Sequence, residues 1–379
     1  MKKIVIKIGS QVILNDEQDS NYKDLDKLLH EIVDLRSKGY EFTIVTSGAV
    51  ALAKHHLSIN GSENLNQTSS KQALASIGQI FLMEKYSKFF NSYNINCAQV
   101  LAGRDNFNSR VAYLNIKNTL ERLYEFNVIP IINENDVVST REIEGRFYGD
   151  NDRLSSVVAN AIDADLLILF GKMNGLYTEN PEIHNEAKLI ERVESIDDTI
   201  ISYAKESEDK VGSGGMKSKL EAAKICMGSG IKCVISSPEK ENVISQIIKG
   251  KNIGTLFIPN ASKLEGKKRW LFTGISENKG KITIDQGAKT ALIDRGASLL
   301  PVGILSIEGK FKRGDILLIK DSNNNEIAYG ITNYNFEDSL KLKGKDSNKI
   351  DEIIEINYGT EMIHRDNLVL LEPNNEKMI

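Results

Sequence analysis

Two short segments crowd carboxylates and amides beside apolar runs: IPIINENDVV, from Ile129 to Val138, and GDNDRLS, from Gly149 to Ser155. Asn, Asp and Gly are ordinary turn residues, because they tolerate left-handed backbone and bond to it through their side chains. Either stretch alone reads as a turn. Carboxylates and amides at strand ends also line the crevice at the carboxyl edge of an open α/β sheet, and three further motifs favour that second reading.

The run IVIKIGS (Ile4–Ser10) sets Lys7 within an apolar stretch, with Gly9 and Ser10 at its mouth. A lysine buried there needs an anionic partner or ligand; on an edge strand it would face water. VTSGAVALA (Val45–Ala53) puts Ser47 and Gly48 on a strand-to-helix turn. Free backbone N–H groups at a helix start bind anions, although Ser-Gly is equally a common turn. VGSGGMKSKLEAAKI (Val211–Ile225) joins glycines that admit a polyphosphate to Lys217 and Lys219 at the opening of an amphipathic helix. Dipole and charge both favour phosphate there. The segment lacks the GxxxxGKS/T spacing of a Walker A loop.

No Ser/His/Asp set accompanies these motifs, and none of His30, His55, His56, His184 and His364 falls in one. Transfer of a phosphoryl group to a carboxylate explains the absence. A carboxylate is ionised at neutral pH and needs no general base; the obstacle is bringing two anions together. Positioning and cationic stabilisation then supply the catalysis.

The elements that must hold these residues follow from periodicity. Residues 3–8, 42–46, 95–101, 128–132, 165–170 and 232–236 read as buried strands. Leu25, Leu28, Leu29, Ile32 and Val33 recur at helical spacing between the first two, and Gly39 follows as a stop signal. Alternating β and α predicts an α/β fold, a mostly parallel sheet covered by helices on both faces. The pattern changes after residue 255: 256–268 reads as a linker, and from Arg269 short turn-bounded runs (RWLFTG, GKITIDQGA, GILSIEG, GDILLIK, EIAYGITNY) predict a second, β-rich domain over 269–379, with SNNN at 322–325 as a hairpin turn. The first domain is then 1–255.

At 379 residues, 26% charged and 41% hydrophobic, the chain has the composition of a soluble globular protein of two domains. No apolar run approaches the roughly 20 residues that cross a bilayer, and MKKIVIKIGS reads as a first strand rather than a signal segment. Cys97, Cys226 and Cys233 form no framework or metal spacing and sit in apolar contexts, as expected of a reduced cytoplasmic protein. The net charge of −4 gives no general affinity for nucleic acid.

In order along the chain, IVIKIGS, VTSGAVALA, KQALASIGQ, YLNIKNTL, IPIINEND, GDNDRLS, NGLYTENP and GSGGMKSKL resemble the motifs of the glutamate 5-kinase family, of the amino acid kinase fold. The tail, from KITIDQGAKTALIDRGASLLPVGI through IHRDNLVLL, looks like the PUA domain of its bacterial members. The resemblance covers essentially the whole chain. It implies an αβα sandwich, ATP-dependent phosphorylation of L-glutamate at its γ-carboxylate as the first step of proline synthesis, magnesium with the ATP, proline as an inhibitor, and a homo-oligomer, dimer or tetramer. By motif position it places Lys7 and Lys219 on either side of the transferring phosphoryl group, with Asp152 holding them. It assigns glutamate to Ser47, Asn133, Asp136 and Asn151. Nucleotide falls to Lys7, Gly9, Gly171, Lys172 and the stretch Ser213, Gly214, Gly215, Met216, Lys217, Ser218 and Lys219. Asp136 and Asp150 offer partners to an ammonium, so the 133–152 region is expected to select free glutamate over an N-acylated one.

Departures from the family pattern are local. Gly171 and Lys172 stand where it usually has Thr and Asp, Ala53 replaces a usual Gly, and SSPEK at 236–240 replaces a Gly-containing loop. Two other readings remain: a phosphotransferase of the same fold acting on a carbamate, uridylate or acylated substrate, and an RNA-binding protein, since PUA domains elsewhere bind RNA. From Arg269 to Ile379 there are 15 basic against 17 acidic residues, a balance that argues against RNA as a partner on electrostatic grounds.

Overall fold

The computed structural model describes residues 2–18, 24–59, 67–103, 107, 109–138, 150–206, 215–260, 262 and 280–371. The chain divides into two units, Met1–Ser109 with Asn115–Lys263, and Arg110–Leu114 with Leu264–Ile379.

In the first unit, strands β1 (Lys2–Ile8), β2 (Tyr40–Thr46), β3 (Cys97–Leu101), β4 (Ile129–Asn133), β5 (Leu166–Phe170), β6 (Arg192–Val193), β7 (Lys232–Ser236) and β8 (Thr255–Phe257) form one sheet. Its order is β3-β4-β2-β1-β5-β7-β8-β6. Neighbours run parallel except β7 and β8. The six apolar runs read from the sequence are β1 to β5 and β7, with ends shifted by a residue or two. The two short strands β6 and β8 carried no such signal, and β8 takes the sheet two residues beyond position 255.

Helices α1 (Ser10–Gln18), α2 (Asp24–Ser37), α3 (Ala49–His56), α4 (Thr68–Asn91), α5 (Arg110–Glu125), α6 (Asp150–Ala161), α7 (Asp198–Glu206), α8 (Met216–Gly228) and α9 (Val243–Ile248) connect the strands. Side chains alternate along a strand, and β1 divides accordingly. Ile4, Ile6 and Ile8 enter a core with Leu25, Leu28, Leu29 and Ile32 of α2, Leu82 and Tyr86 of α4, and Val243, Ile244 and Ile247 of α9. Val5 and Lys7 take the other face, where α6 packs on β1, β2 and β5, and α8 packs on α6 and β7. The result is the expected αβα sandwich.

β1 is central, and the chain leaves it in one direction for β2 and returns on its other side as β5. That reversal opens a crevice at the carboxyl ends of the strands. Lys7, Ser47 and Asn133 lie on or just beyond those ends.

The second unit is β-rich, as expected: β9 (Gly280–Ile284), β10 (Ile304–Gly309), β11 (Ile316–Asp321), β12 (Glu326–Ile331) and β13 (Leu368–Leu370) pair in the order β10-β9-β11-β12-β13. Ile282, Leu317, Ile319, Tyr334, Leu342 and Met362 belong to its core. Three helices, α10 (Gln286–Arg295), α11 (Phe336–Leu342) and α12 (Ile350–Ile353), are additions that the turn-bounded pattern did not signal. Asp285 and Asn335 cap the first two, accepting from Ala288 N at 2.7 Å and Asp338 N at 2.8 Å. The expected turn at 322–325 joins antiparallel β11 and β12. The Asp321 carboxylate accepts from the backbone of Asn323 (3.0 Å) and Asn325 (2.8 Å) and pairs with Lys289 at 2.7 Å, which together hold its pKa below the usual carboxylate range. The predicted run RWLFTG lies outside the described residues.

Candidate active site

Lys7 is 4% exposed, and its ammonium lies 2.7 Å from Oδ1 of Asp152 on the first turn of α6. Lys219, on the first turn of α8, donates to Oδ2 of the same carboxylate at 3.0 Å. The Ser218 hydroxyl lies 2.7 Å from that oxygen and 2.9 Å from the Gly215 carbonyl. One carboxylate with no solvent exposure therefore holds two ammonium groups from opposite sides. Burial pushes the Asp152 pKa up, but Lys219 and Lys7, together with hydrogen bonds from Lys7 and Ser218, outweigh it and bring the pKa to about 2. Asp152 is ionised at any physiological pH. Three charges then sum to a net +1, set at the carboxyl edge of the central strand.

The surrounding backbone leaves room for this cluster. Gly9 lies two residues beyond Lys7, and a Cβ there would lie 3.7 Å from the Lys7 ammonium. Gly171 ends β5, its N–H donating to Ser236 O at 3.1 Å. A Cβ on Gly171 would meet Lys219 Cε at 3.0 Å, so the stem of Lys219 occupies the space a side chain there would fill. Lys172, the other departure, pairs with Glu182 at 2.5 Å on the surface, with its side chain 55% exposed.

On the other side of β1, Gly48 adopts φ +103 and starts α3. Only glycine takes that conformation without strain, and it turns the chain sharply from β2 into the helix. Ser47 Oγ donates to Ile8 O at 3.3 Å, joining the ends of β1 and β2. The start of α3 is fixed by α4: a Cβ on Gly78 would lie 1.7 Å from Ala49 O and 3.0 Å from Ala53 N. The two helices cross in contact at that point, and Ala53 is fully buried beside it.

A chain of amides extends from the ion-pair cluster toward β4. Asn151, next to Asp152, donates through Nδ2 to Thr46 O at 2.9 Å and to Asn133 Oδ1 at 3.3 Å. Asn133, the last residue of β4, donates in turn to Gln79 Oε1 of α4 at 2.7 Å. Asn151 Oδ1 and Gln79 Nε2 are shut off from solvent and have no hydrogen-bond partner among the described residues.

The structure thus gathers Lys7, Gly9, Asp152, Gly171, Ser218 and Lys219 on one side of the crevice, and Ser47, Asn133 and Asn151 on the other. Gly215 starts α8, Met216 is buried and Lys217 is exposed. Asp136 is half-buried in the loop after β4. Ser213, Gly214 and the Asp150 side chain lie outside the described residues. Reading the sequence missed two contacts: Ser218 on Asp152 rather than only in the nucleotide loop, and Gln79 on Asn133. KQALASIGQ held the second, but pairing across helices leaves no local pattern.

A mostly parallel sheet covered by helices on both faces fits the amino acid kinase fold, and the model of the Amino acid kinase family matches residues 2–237. The PUA domain model matches residues 280–354. Over 370 residues the chain is 41% identical to "Glutamate 5-kinase" of Caldanaerobacter subterraneus subsp. tengcongensis and 39% identical to that of Dehalococcoides mccartyi, each match spanning 98% of both chains. The enzyme of the same name from Escherichia fergusonii is 38% identical, over 97% of this chain and 98% of its own. The chain belongs to the glutamate 5-kinase branch of the amino acid kinase family.

Proposed function

We propose that this chain transfers the γ-phosphoryl group of ATP to the γ-carboxylate of L-glutamate, forming glutamyl 5-phosphate, the first step of proline biosynthesis. The observation that carries this reading is the Asp152 carboxylate buried between Lys7 and Lys219. A carboxylate oxygen attacks the γ-phosphorus, its bond to the β–γ bridging oxygen breaks, and ADP leaves with that electron pair. Donor and acceptor are both anions, and the two ammonium groups offset their repulsion and the charge spread over the transferring phosphoryl group. Asp152 fixes both lysines and takes no proton.

Magnesium fits this site as a passenger on the nucleotide. The Asp152 oxygens already face Lys7, Lys219 and Ser218, so the metal is assigned to the phosphates, where it neutralises negative charge. The glutamate positions are Ser47, Asn133, Asp136 and Asn151, and the nucleotide positions run from Gly9 and Gly171 to the start of α8, with Lys172 at the rim. The reading includes proline as feedback inhibitor, a cytoplasmic location in keeping with three free thiols, and a homo-oligomer, for which Ile77 and Ile80 of α4, the latter 69% exposed, offer apolar surface. RNA is not a proposed partner.

Incubating the protein with Mg-ATP, L-glutamate and hydroxylamine, which traps an acyl phosphate as a coloured hydroxamate, tests the reaction directly. Glutamate-dependent hydroxamate that disappears in Lys219→Ala is the expected result. No product from folded wild-type protein would overturn the assignment. N-acetylglutamate turned over as well as glutamate would contradict the selection of a free amino group.

A further inference from the structure

The amide chain Asn151–Asn133–Gln79 has a direction, and one backbone carbonyl sets it. Thr46 O can only accept, so Asn151 must turn its NH2 toward Thr46 O and Asn133, at 2.9 and 3.3 Å. Asn133 then accepts through Oδ1 and has only its own NH2 to offer Gln79, which receives it on Oε1 at 2.7 Å. Gln79 is left with its NH2 outward. That group is buried and has no acceptor among the described residues, and an unsatisfied buried donor is costly. A ligand acceptor removes the penalty.

We infer that Gln79 is a glutamate-binding residue whose Nε2 donates to the substrate's α-carboxylate. The inference rests on glutamate being the acceptor substrate. Sheet geometry selects which carboxylate it meets. Lys7, Val45 and Ile132 lie in register across β1, β2 and β4, and Asn133 is one residue further on. The β4 end of the crevice is therefore two strand spacings, about 10 Å, from the lysine end. Glutamate, with a hydrogen bond of about 2.8 Å at each carboxylate, spans about that distance. With the γ-carboxylate at Lys7 and Lys219, the α-carboxylate faces Gln79. Asn151 Oδ1, the opposite end of the amide chain, is a buried acceptor suited to the ammonium. Donor and acceptor at its two ends match the two charges of a zwitterion.

Gln79→Glu tests this with the support of Asn133 intact, because a carboxylate still accepts from Asn133 Nδ2. Its outer atom becomes an acceptor, which repels an α-carboxylate and accommodates the NH2 of an α-carboxamide. The measurement is kcat/KM for L-glutamate and for L-isoglutamine, the α-amide that keeps the γ-carboxylate, with the KM for ATP alongside. Gln79→Glu is expected to lower the glutamate-to-isoglutamine preference at least about tenfold and to leave the KM for ATP within about threefold. Gln79→Met keeps the volume and removes both amide groups; it is expected to raise the KM for glutamate by about tenfold or more and to narrow the same preference. Equal losses toward both substrates would make Gln79 a prop for Asn133 and overturn the inference. So would an unchanged preference in a folded variant. Wild-type protein that makes no hydroxamate from glutamate would remove the reaction itself, a result separable from either.

Discussion

At the scale of single residues the site depends on Asp152, because it sets the position of two cations that would otherwise repel one another. Replacing it with Asn leaves two buried ammonium groups without their counter-charge, and breaking a buried pair in this way costs about 3–5 kcal/mol. Asp152→Asn is expected to lower both the melting temperature and kcat, the latter by at least about a hundredfold; kcat within threefold of wild type would show that the lysines do not need this carboxylate. The pH dependence has a definite sign. The folded-state pKa, about 2, is below the ordinary value, so the stabilisation is fully present above about pH 4 and is lost as the pH falls through about 2. An acid limb in the activity profile near pH 5 therefore belongs to another group. Ser218 adds a restriction, since a hydroxyl carries one hydrogen and faces two acceptors, Asp152 Oδ2 and Gly215 O. It serves one of them at a time.

At the scale of elements, two glycines decide where the helices begin and cross. Gly48 turns β2 into α3, and Gly78 lets the α3 backbone come within contact of α4. Gly78→Ala forces a methyl group against Ala49 O and is expected to destabilise the fold by about 1–3 kcal/mol. It should also raise the KM for glutamate, because displacing α3 moves Ser47. Thermal unfolding with an unchanged midpoint would contradict the crossing described. Local elements were legible because burial marks the sequence: Ile4, Val5, Ile6 and Ile8 make a near-continuous apolar run on β1, and Leu25, Leu28, Leu29 and Ile32 recur at helical spacing on α2. The Gly78 crossing was not legible, since nothing near Gly78 in sequence records that Ala49 lies against it. β6, of two residues, and β8, of three, are too short to show any period.

At the scale of the whole molecule, the chain forms two units, each with a core of its own. The candidate site was legible in its parts, because Lys7, Asp152 and Lys219 sit in distinctive motifs, but not in its wiring. Which oxygen meets which ammonium is settled by strand order, and strand order is a long-range property. That order has a consequence for time as well as place. Lys7 is carried by β1, flanked on both sides by paired strands and covered on both faces, and such segments exchange their amide hydrogens only when the whole unit opens. Amides of β1 are expected to be among the slowest in the first unit, and thermal loss of activity should follow the same curve as their deprotection; fast exchange in β1 of active protein would refute this. The Lys7 ammonium cannot be withdrawn by any small fluctuation of this strand, so on the proposed reaction the motions that admit and release ligands occur around a cation that stands still.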